Sequence, residues 1–223
     1  MHLEQRRILI TGGGSGIGLA LAHALAPTND VVVAGRDAQK LERAKASLPA
    51  LHALQLDVTS ESAARAAVAW MTNHLGGIDL LVNSAGVLRG QAFEAAADSA
   101  MGEEVAVNLL GSARMTRVAL PFLRQSDDGA VVFLSSAVVL GASPGVAVYA
   151  ATKAAVHSLP APCGPNCGVR SRSSTSSHHG STPNSPAGSG GLGCRQRAWR
   201  TRSCAPSAVT NSRYTSGRSR RSA

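Results

Sequence analysis

The first 159 residues of this 223-residue chain contain no cysteine, and the residues after them contain no lysine, aspartate or glutamate. Aromatic residues make up 3% of the chain, and no apolar run approaches the roughly 18 residues needed to span a membrane. No signal peptide is visible, because the N-terminus passes from Met1 through charged residues into a short apolar segment. These absences argue against a disulfide-stapled secreted protein and against a membrane protein, and they favour a cytoplasmic one.

The net charge of +9 is distributed unevenly. Residues 1–159 carry 12 Lys and Arg against all 13 Asp and Glu, whereas residues 160–223 carry the other 10 basic residues, all Arg. An Arg/Ser-rich tail can attract nucleic-acid phosphates through charge alone. The tail has one Trp and one Tyr for base stacking, however, and no recognisable nucleic-acid-binding module. We therefore expect no nucleic-acid partner.

Short apolar runs alternate with longer amphipathic stretches through the first part of the chain, as in a parallel sheet covered by helices. The pattern predicts five strands, at residues 8–10, 31–34, 51–56, 80–82 and 130–134. It predicts helices at 16–26, 37–47, 60–75 and 98–123, and from about Val148 to Pro160, with Thr59 or Ser60 capping the third. We expect an α/β fold with a doubly wound, Rossmann-like parallel sheet that is incomplete at its C-terminal end.

After the fifth predicted helix this pattern stops. Residues 160–223 contain 14 Ser, 10 Arg, 8 Gly and 6 Pro without strand or helix periodicity, a composition that cannot bury enough apolar surface to offset chain entropy. We predict a dinucleotide-binding domain over residues 1–159 and a disordered tail over 160–223. No metal site is predicted, since Cys163, Cys167 and His178-His179 match no common zinc-ligand spacing.

A glycine-rich turn, TGGGSGIG at residues 11–18, follows the first predicted strand and opens the first helix. A dinucleotide pyrophosphate must approach the backbone closely at a helix N-terminus, where free N–H groups and the helix dipole favour anions. Gly12 suits the tight turn, Gly16 removes an obstructing side chain, and Gly18 lets helix and strand pack closely. The predicted cofactor contacts in this turn are Gly12, Gly14, Ser15, Gly16, Ile17 and Gly18.

The end of the second predicted strand bears on the choice of cofactor. NAD sites place an acidic residue there to accept hydrogen bonds from the ribose 2′-OH, but Gly35 stands at this position and Arg36 follows. A guanidinium can clamp a 2′-phosphate, so we expect NADP(H) rather than NAD(H). Arg36 could instead be solvated or paired with Asp37. Asp57 and Val58 after the third strand would border the adenine, although Asp57 could equally cap the next helix.

Tyr149 and Lys153 are four residues apart in a predicted helix, so their side chains are neighbours on one face. A phenol has an intrinsic pKa of about 10, and a neighbouring ammonium favours the phenolate and brings proton transfer toward neutral pH. Ser136 ends the fifth strand and can hydrogen-bond a substrate oxygen, whereas Ser135 faces the other way. Asn108 in the long helix can hold a water that relays protons from Lys153, or can satisfy backbone groups at a helix bend.

Together these residues resemble the short-chain dehydrogenase/reductase family. The likeness covers, in the family's order, the turn at 11–18, Asp57-Val58, Asn83-Ser84-Ala85-Gly86, Asn108, Ser136, Tyr149 and Lys153. It implies hydride transfer between nicotinamide and a small or medium carbonyl or alcohol substrate, with Tyr149 as acid/base. Ser136 would polarise the substrate oxygen and Lys153 would hold the ribose.

The resemblance also implies that Asn83, Ala85 and Gly86 border the cofactor, and that a homodimer or homotetramer forms through the long helices. Ser84 departs from the family, which usually has a second Asn there. Four apolar residues would offer a wall for the substrate: Phe93, Val139, Leu140 and Val146.

The tail departs from the family more strongly. A sixth strand, a Pro-Gly loop and a helical lid would be expected after the Lys153 helix, and nothing after Pro160 matches them. We hypothesise that the tail is a frameshifted translation, because residues 173–186 can be back-translated and read in another frame as a Val-rich strand with a proline turn. The chain would then be a catalytically impaired cofactor-binding product. The coding DNA tests this: without an alternative open frame near the codons for residues 158–163, the hypothesis is wrong.

Overall fold

Parallel strands form a single sheet: β1 (Arg7–Thr11), β2 (Asp30–Gly35), β3 (His52–Gln55), β4 (Leu80–Asn83), β5 (Ala130–Ser136) and β6 (Gly168–Ser174). They pair in the order β3-β2-β1-β4-β5-β6. The computed structural model describes residues 3–90, 92–141, 144–159 and 168–174, the last segment as backbone. The five strands predicted from the sequence are all confirmed, with ends that differ by one or two residues.

The helices are α1 (Gly16–Leu25), α2 (Ala38–Ser47), α3 (Glu61–Leu75), α4 (Asp98–Glu104), α5 (Ser112–Leu123) and α6 (Ala147–His157). A π-helical segment, Val105–Gly111, joins α4 to α5, so the predicted long helix over 98–123 is confirmed with a wide turn in its middle. Ser60 caps α3 by accepting a hydrogen bond from the Ala63 N–H at 3.2 Å, which decides between the two predicted caps.

Alternate residues of the central strands point to opposite faces of the sheet. Ile8 and Ile10 pack with α1 and α2 in one core cluster, whereas Leu9 packs in the other with residues of α3, α5 and α6. Because both faces are covered, these strands are continuously apolar. This is why runs such as Val31-Val32-Val33 were readable as buried strands.

Strand β6 corrects part of the prediction for the tail. Residues 168–174 pair in parallel with β5, from Ala130 opposite Gly168 to Ser136 opposite Ser174, so the expectation of no strand after Pro160 is wrong for this segment. Ladder hydrogen bonds use backbone groups, and therefore a segment without apolar periodicity can still occupy a strand edge. The rest of the predicted tail lies outside the described residues.

The winding of the sheet reverses at β1, which pairs with β2 on one side and with β4 on the other. In open parallel sheets, such a reversal leaves a crevice beyond the carboxyl ends of the two diverging strands, and ligands bind there. Here the residues at that position are the glycine-rich turn after β1 and the Ser84-Ala85-Gly86 segment after β4.

An ion pair between the buried Asp79 and the half-buried Arg7 fixes the opposite, amino end of the sheet. The Asp79 carboxylate is 3% exposed and accepts hydrogen bonds from Arg7 Nη2 at 2.7 Å, from Arg7 Nε at 2.8 Å and from Ser126 Oγ at 2.7 Å. Burial raises the pKa of Asp79, but the hydrogen bonds from Arg7 and Ser126 outweigh burial and hold that pKa well below its usual range.

We expect Asp79→Asn to lower the free energy of unfolding by about 2 kcal/mol, because it leaves the Arg7 guanidinium without its counter-charge. The pKa of Asp79 is lower in the folded state, so its contribution is complete above the unfolded-state pKa of about 4 and is lost as the pH falls below it. Urea denaturation at pH 7 and pH 3 checks this: the difference between variant and wild type should shrink at pH 3. A constant difference would contradict the assignment.

Candidate active site

The turns that follow β1 and β4 are in direct contact. Gly12 has a φ of +68°, and a Cβ placed on it would lie 2.8 Å from Cα and N of Ala85. Thr11 Oγ1 accepts hydrogen bonds from the N–H groups of Ser84 and Ala85, each at 3.2 Å. A Cβ on Gly18 would lie 2.5 Å from the Gly12 carbonyl oxygen. Glycine is therefore required at 12 and 18 by packing, and Thr11 is a positioning residue that the sequence interpretation did not single out.

The N-terminus of α1 faces open space. Gly16 has a φ of +55°, and a Cβ placed there would meet nothing within 4 Å. Within the described part of the chain, the N-cap Ser15 makes no side-chain cap hydrogen bond, and the first turn contains no acidic residue. Backbone N–H groups at this end are thus left for an anionic ligand, to which the helix dipole also contributes.

A crevice of about 690 Å³, partly open to solvent, lies at the switch point. Seven of the predicted cofactor contacts line it: Gly12, Gly14, Ser15, Arg36, Val58, Ala85 and Gly86. It is also lined by residues that were not predicted: Gly35, Asp37, Lys40, Leu41, Leu56, Val87 and Val107. The other predicted cofactor contacts are not among the residues that line it: Gly16, Ile17, Gly18, Asp57, Asn83, Tyr149 and Lys153.

Two cations stand at the β2 side of this crevice. The Arg36 side chain is 50% exposed and lies 3.5 Å from Glu103 Oε1. The expected alternative partner, Asp37, caps α2 by accepting from the Lys40 N–H at 3.0 Å and lies 3.9 Å from Lys40 Nζ. Lys40 was missed by the sequence interpretation, although its place three residues after Asp37 in a predicted helix puts the two on one face.

Asp57 organises the turn before α3. Its Oδ1 accepts hydrogen bonds from Thr59 N at 2.8 Å and from Thr59 Oγ1 at 2.7 Å, while Ser60 takes the capping position. Burial raises the pKa of Asp57. The Thr59 hydrogen bonds and the charges of Arg36 and Arg114 lower it by more than burial raises it, so the pKa of Asp57 lies below its usual value. The neighbouring Val58 is buried and lines the crevice.

Asn83 and Asn108 are both buried. Asn108 Oδ1 accepts from Val87 N at 2.8 Å, and its Nδ2 donates to Val87 O at 2.9 Å and to Thr152 Oγ1 at 3.2 Å. Asn108 lies in the π-helical segment, and the backbone groups that its side chain satisfies are those of Val87, in the segment after β4. Asn83 Nδ2 donates to Thr116 Oγ1 at 3.1 Å, and its Oδ1 has no hydrogen-bond partner among the described residues.

Tyr149 and Lys153 lie together on α6. Lys153 Nζ is 5.6 Å from the centroid of the Tyr149 ring and donates a hydrogen bond to the Leu134 carbonyl at 2.9 Å. A Cβ on Gly86 would lie 3.3 Å from Asn108 Oδ1 and 3.6 Å from Lys153 Nζ, so the ammonium borders a residue of the crevice. Lys153 is 6% exposed, and burial lowers its pKa.

The two serines at the end of β5 face opposite ways, as strand geometry requires. Ser135 is buried, and its hydroxyl donates to the Lys153 carbonyl at 3.4 Å. Ser136 is half-buried, and its Oγ accepts from the Val138 N–H at 3.4 Å. Because the Ser135 hydroxyl is buried and hydrogen-bonded to the backbone of α6, Ser136 is the serine that is the candidate for substrate contact.

A second, much smaller cavity lies between α4 and the start of α6. Phe93 and Val146 of the predicted apolar wall line it, together with the buried Glu104, which accepts a hydrogen bond from Arg89 N at 2.7 Å. Val139 and Leu140 do not line it, and Leu140 is 84% exposed. Two of the four residues predicted to form an apolar wall therefore line this cavity, and two do not.

The family model for short chain dehydrogenases matches residues 6–163. The chain is 32% identical over 162 residues to the uncharacterized oxidoreductase DltE of Bacillus subtilis, covering 71% of this chain and 64% of that protein. It is 33% identical over 145 residues to carbonyl reductase family member 4 of Xenopus tropicalis, covering 65% and 61%. The apo structure of LigO from Sphingobium superposes with a TM-score of 0.67 at 30% identity, covering 70% of this chain and 61% of that one.

The chain belongs to the short-chain dehydrogenase/reductase family. Members of this family bind a nicotinamide cofactor, NAD or NADP, and act on small molecules. The chain spans about 64% and 61% of the lengths of the two curated relatives above. Within the described residues, no helix is long and apolar enough to cross a membrane, and no group of three or more His, Cys, Asp or Glu is placed to hold a metal ion.

Proposed function

We propose that this chain is an NADP(H)-dependent oxidoreductase that transfers a hydride between nicotinamide and a small or medium carbonyl or alcohol substrate. The observation that carries the proposal is the position of the Lys153 ammonium, which is buried beside the Tyr149 ring and next to Gly86, a residue of the crevice. Among the described residues no carboxylate pairs with Lys153, and a buried cation in this situation is unfavourable for folding and typical of functional sites.

The crevice suits a dinucleotide in its lining. The α1 N-terminus leaves N–H groups for a pyrophosphate, and Leu56, Val58 and Val107 offer apolar surface for the adenine. Gly35 itself offers no carboxylate for a ribose 2′-OH at the end of β2. Arg36 and Lys40 line the crevice there, and the carboxylate that follows, Asp37, caps α2 by accepting from the Lys40 N–H. This charge distribution favours a 2′-phosphate over a hydroxyl.

Residues of this chain would transfer the proton. When bound, the nicotinamide supplies or accepts the hydride at its C4 atom. In the direction of reduction, the Tyr149 hydroxyl donates its proton to the substrate oxygen, to which Ser136 also donates a hydrogen bond. The Lys153 ammonium favours the resulting phenolate, since opposite charges stabilise one another more strongly in a buried site. Oxidation of an alcohol reverses each transfer. The name of the Xenopus relative, carbonyl reductase, supports this substrate class.

We expect Arg36→Leu to weaken NADPH binding by at least about tenfold, the loss of a charge-assisted hydrogen bond, and to change NADH binding less than about twofold. Dissociation constants come from the fluorescence of the reduced cofactor or from calorimetry. Arg43→Leu is the matched control, because Arg43 is an exposed arginine of α2 that does not line the crevice. Equal effects of both substitutions on NADPH would contradict the assigned preference.

A second candidate is a cofactor-binding protein without turnover. It is favoured by one observation: the family match ends at residue 163, within a few residues of the point at which the composition changes. Under this alternative the wild-type chain binds NADPH, and Arg36→Leu weakens it, but no aldehyde or ketone in a panel is reduced. Turnover that depends on Tyr149 excludes it.

A further inference from the structure

Glu103 joins Arg36 to a second arginine beside the crevice. Its Oε1 lies 3.5 Å from Arg36 Nη2, and its Oε2 accepts hydrogen bonds from Arg89 Nη2 and, at 2.9 Å, from Arg89 Nε. Arg36 directly follows β2. Glu103 lies near the end of α4, one helical turn before Val107, which lines the crevice. The Glu103 carboxylate, which belongs to a different segment of the chain, therefore pairs with the Arg36 guanidinium that is predicted to bind the phosphate.

We propose that Glu103 is a specificity-determining residue that competes with the cofactor's 2′-phosphate for Arg36, and that Arg89 retains the Glu103 carboxylate once the phosphate displaces it. The inference rests on the NADP(H) function proposed above. It assigns to Glu103 a role in selecting between the two forms of the cofactor, since only the phosphorylated form has to displace the carboxylate.

The geometry makes the two arginine contacts unequal. Both arginine side chains are about half exposed, but the Arg36 contact is long, at 3.5 Å, which is typical of an ion pair that contributes little. Arg89 instead directs two N–H donors at one oxygen of Glu103, a stronger arrangement. The hydrogen bond and charge of Arg89 and the charge of Arg36 lower the pKa of Glu103, so Glu103 is ionised at neutral pH. Its negative charge repels an incoming phosphate, and its contact with Arg36 occupies the guanidinium that the phosphate would bind.

The test compares Glu103→Gln with Glu61→Gln in the full chain by titration with NADPH and with NADH. Glu61 is the matched control, because its carboxylate also bridges two arginines, Arg65 and Arg117, neither of which lines the crevice, whereas Arg36 does. We expect Glu103→Gln to tighten NADPH binding by about threefold or more, the scale of one exposed charge pair, with NADH changed less than about 1.5-fold. Glu61→Gln should change neither.

A second variant tests the role of Arg89. Arg89→Gln removes the partner that retains the displaced carboxylate, so NADPH binding should weaken while NADH binding stays the same. The two substitutions thus move the NADPH dissociation constant in opposite directions, which a general loss of structure would not do.

Unchanged or weaker NADPH binding by Glu103→Gln overturns the inference. If Arg36→Leu still weakens NADPH selectively in that case, the proposed function stands without it. If the wild-type chain binds neither cofactor, the proposed function fails and the competition fails with it.

Discussion

Replacing Tyr149 with phenylalanine is expected to lower turnover of a reducible aldehyde or ketone by about a thousandfold, the scale of a lost general acid. The phenylalanine ring keeps the volume of the side chain and its contact with the Lys153 ammonium, which lies 5.6 Å from the ring centroid. Cofactor binding should therefore change less than about twofold, since only the hydroxyl is removed. The measurement is NADPH consumption at saturating cofactor, beside an NADPH titration of the same preparation.

The chain contains one other tyrosine, Tyr214, and Tyr214→Phe is the matched control. It should retain wild-type turnover. If Tyr149→Phe and Tyr214→Phe lower turnover equally, or if Tyr149→Phe leaves turnover intact, Tyr149 is not the acid/base of this chain. A Tyr149→Phe protein that has lost NADPH binding as well would indicate a packing role for the hydroxyl.

The sheet and the glycine-rich turn were predictable from sequence because local rules decide them. A strand followed by closely spaced glycines and a helix has few physical solutions, and the structure gives the reasons: Gly12 adopts positive φ against Ala85, and Gly18 packs on the Gly12 carbonyl. The Tyr149–Lys153 pair was predictable for a similar reason, since helical spacing alone makes the two residues neighbours.

Features that depend on the meeting of distant segments were not predictable. Glu103 reaches Arg36 across 67 positions in the sequence, and no local pattern links them. The Asn108 side chain bonds to Val87 and Thr152, which come from two other segments of the chain. Strand β6 was missed because backbone pairing to an available edge requires no side-chain periodicity.

Lys153→Met is expected to affect activity and stability in opposite directions. Turnover should fall by about a hundredfold or more, because the phenolate of Tyr149 loses its neighbouring cation. Stability at pH 7 should rise by about 1 kcal/mol, because the ammonium is 6% exposed and its one hydrogen bond within the described residues, to the Leu134 carbonyl, compensates only part of the cost of its burial. A residue kept for packing alone would not show this opposition.

The gain in stability should depend on pH in a defined direction. Burial lowers the pKa of Lys153 in the folded state, so between the folded and unfolded values the unfolded chain binds more protons, and the wild type gains stability as the pH rises through that window. The advantage of Lys153→Met should therefore shrink from pH 7 to pH 10 in urea denaturation. Lys45→Met, at an exposed position of α2, is the control and should change neither turnover nor the pH dependence. An advantage that is absent at pH 7, or that grows toward pH 10, would contradict the reading of Lys153 as a buried cation held in place for catalysis at the expense of folding.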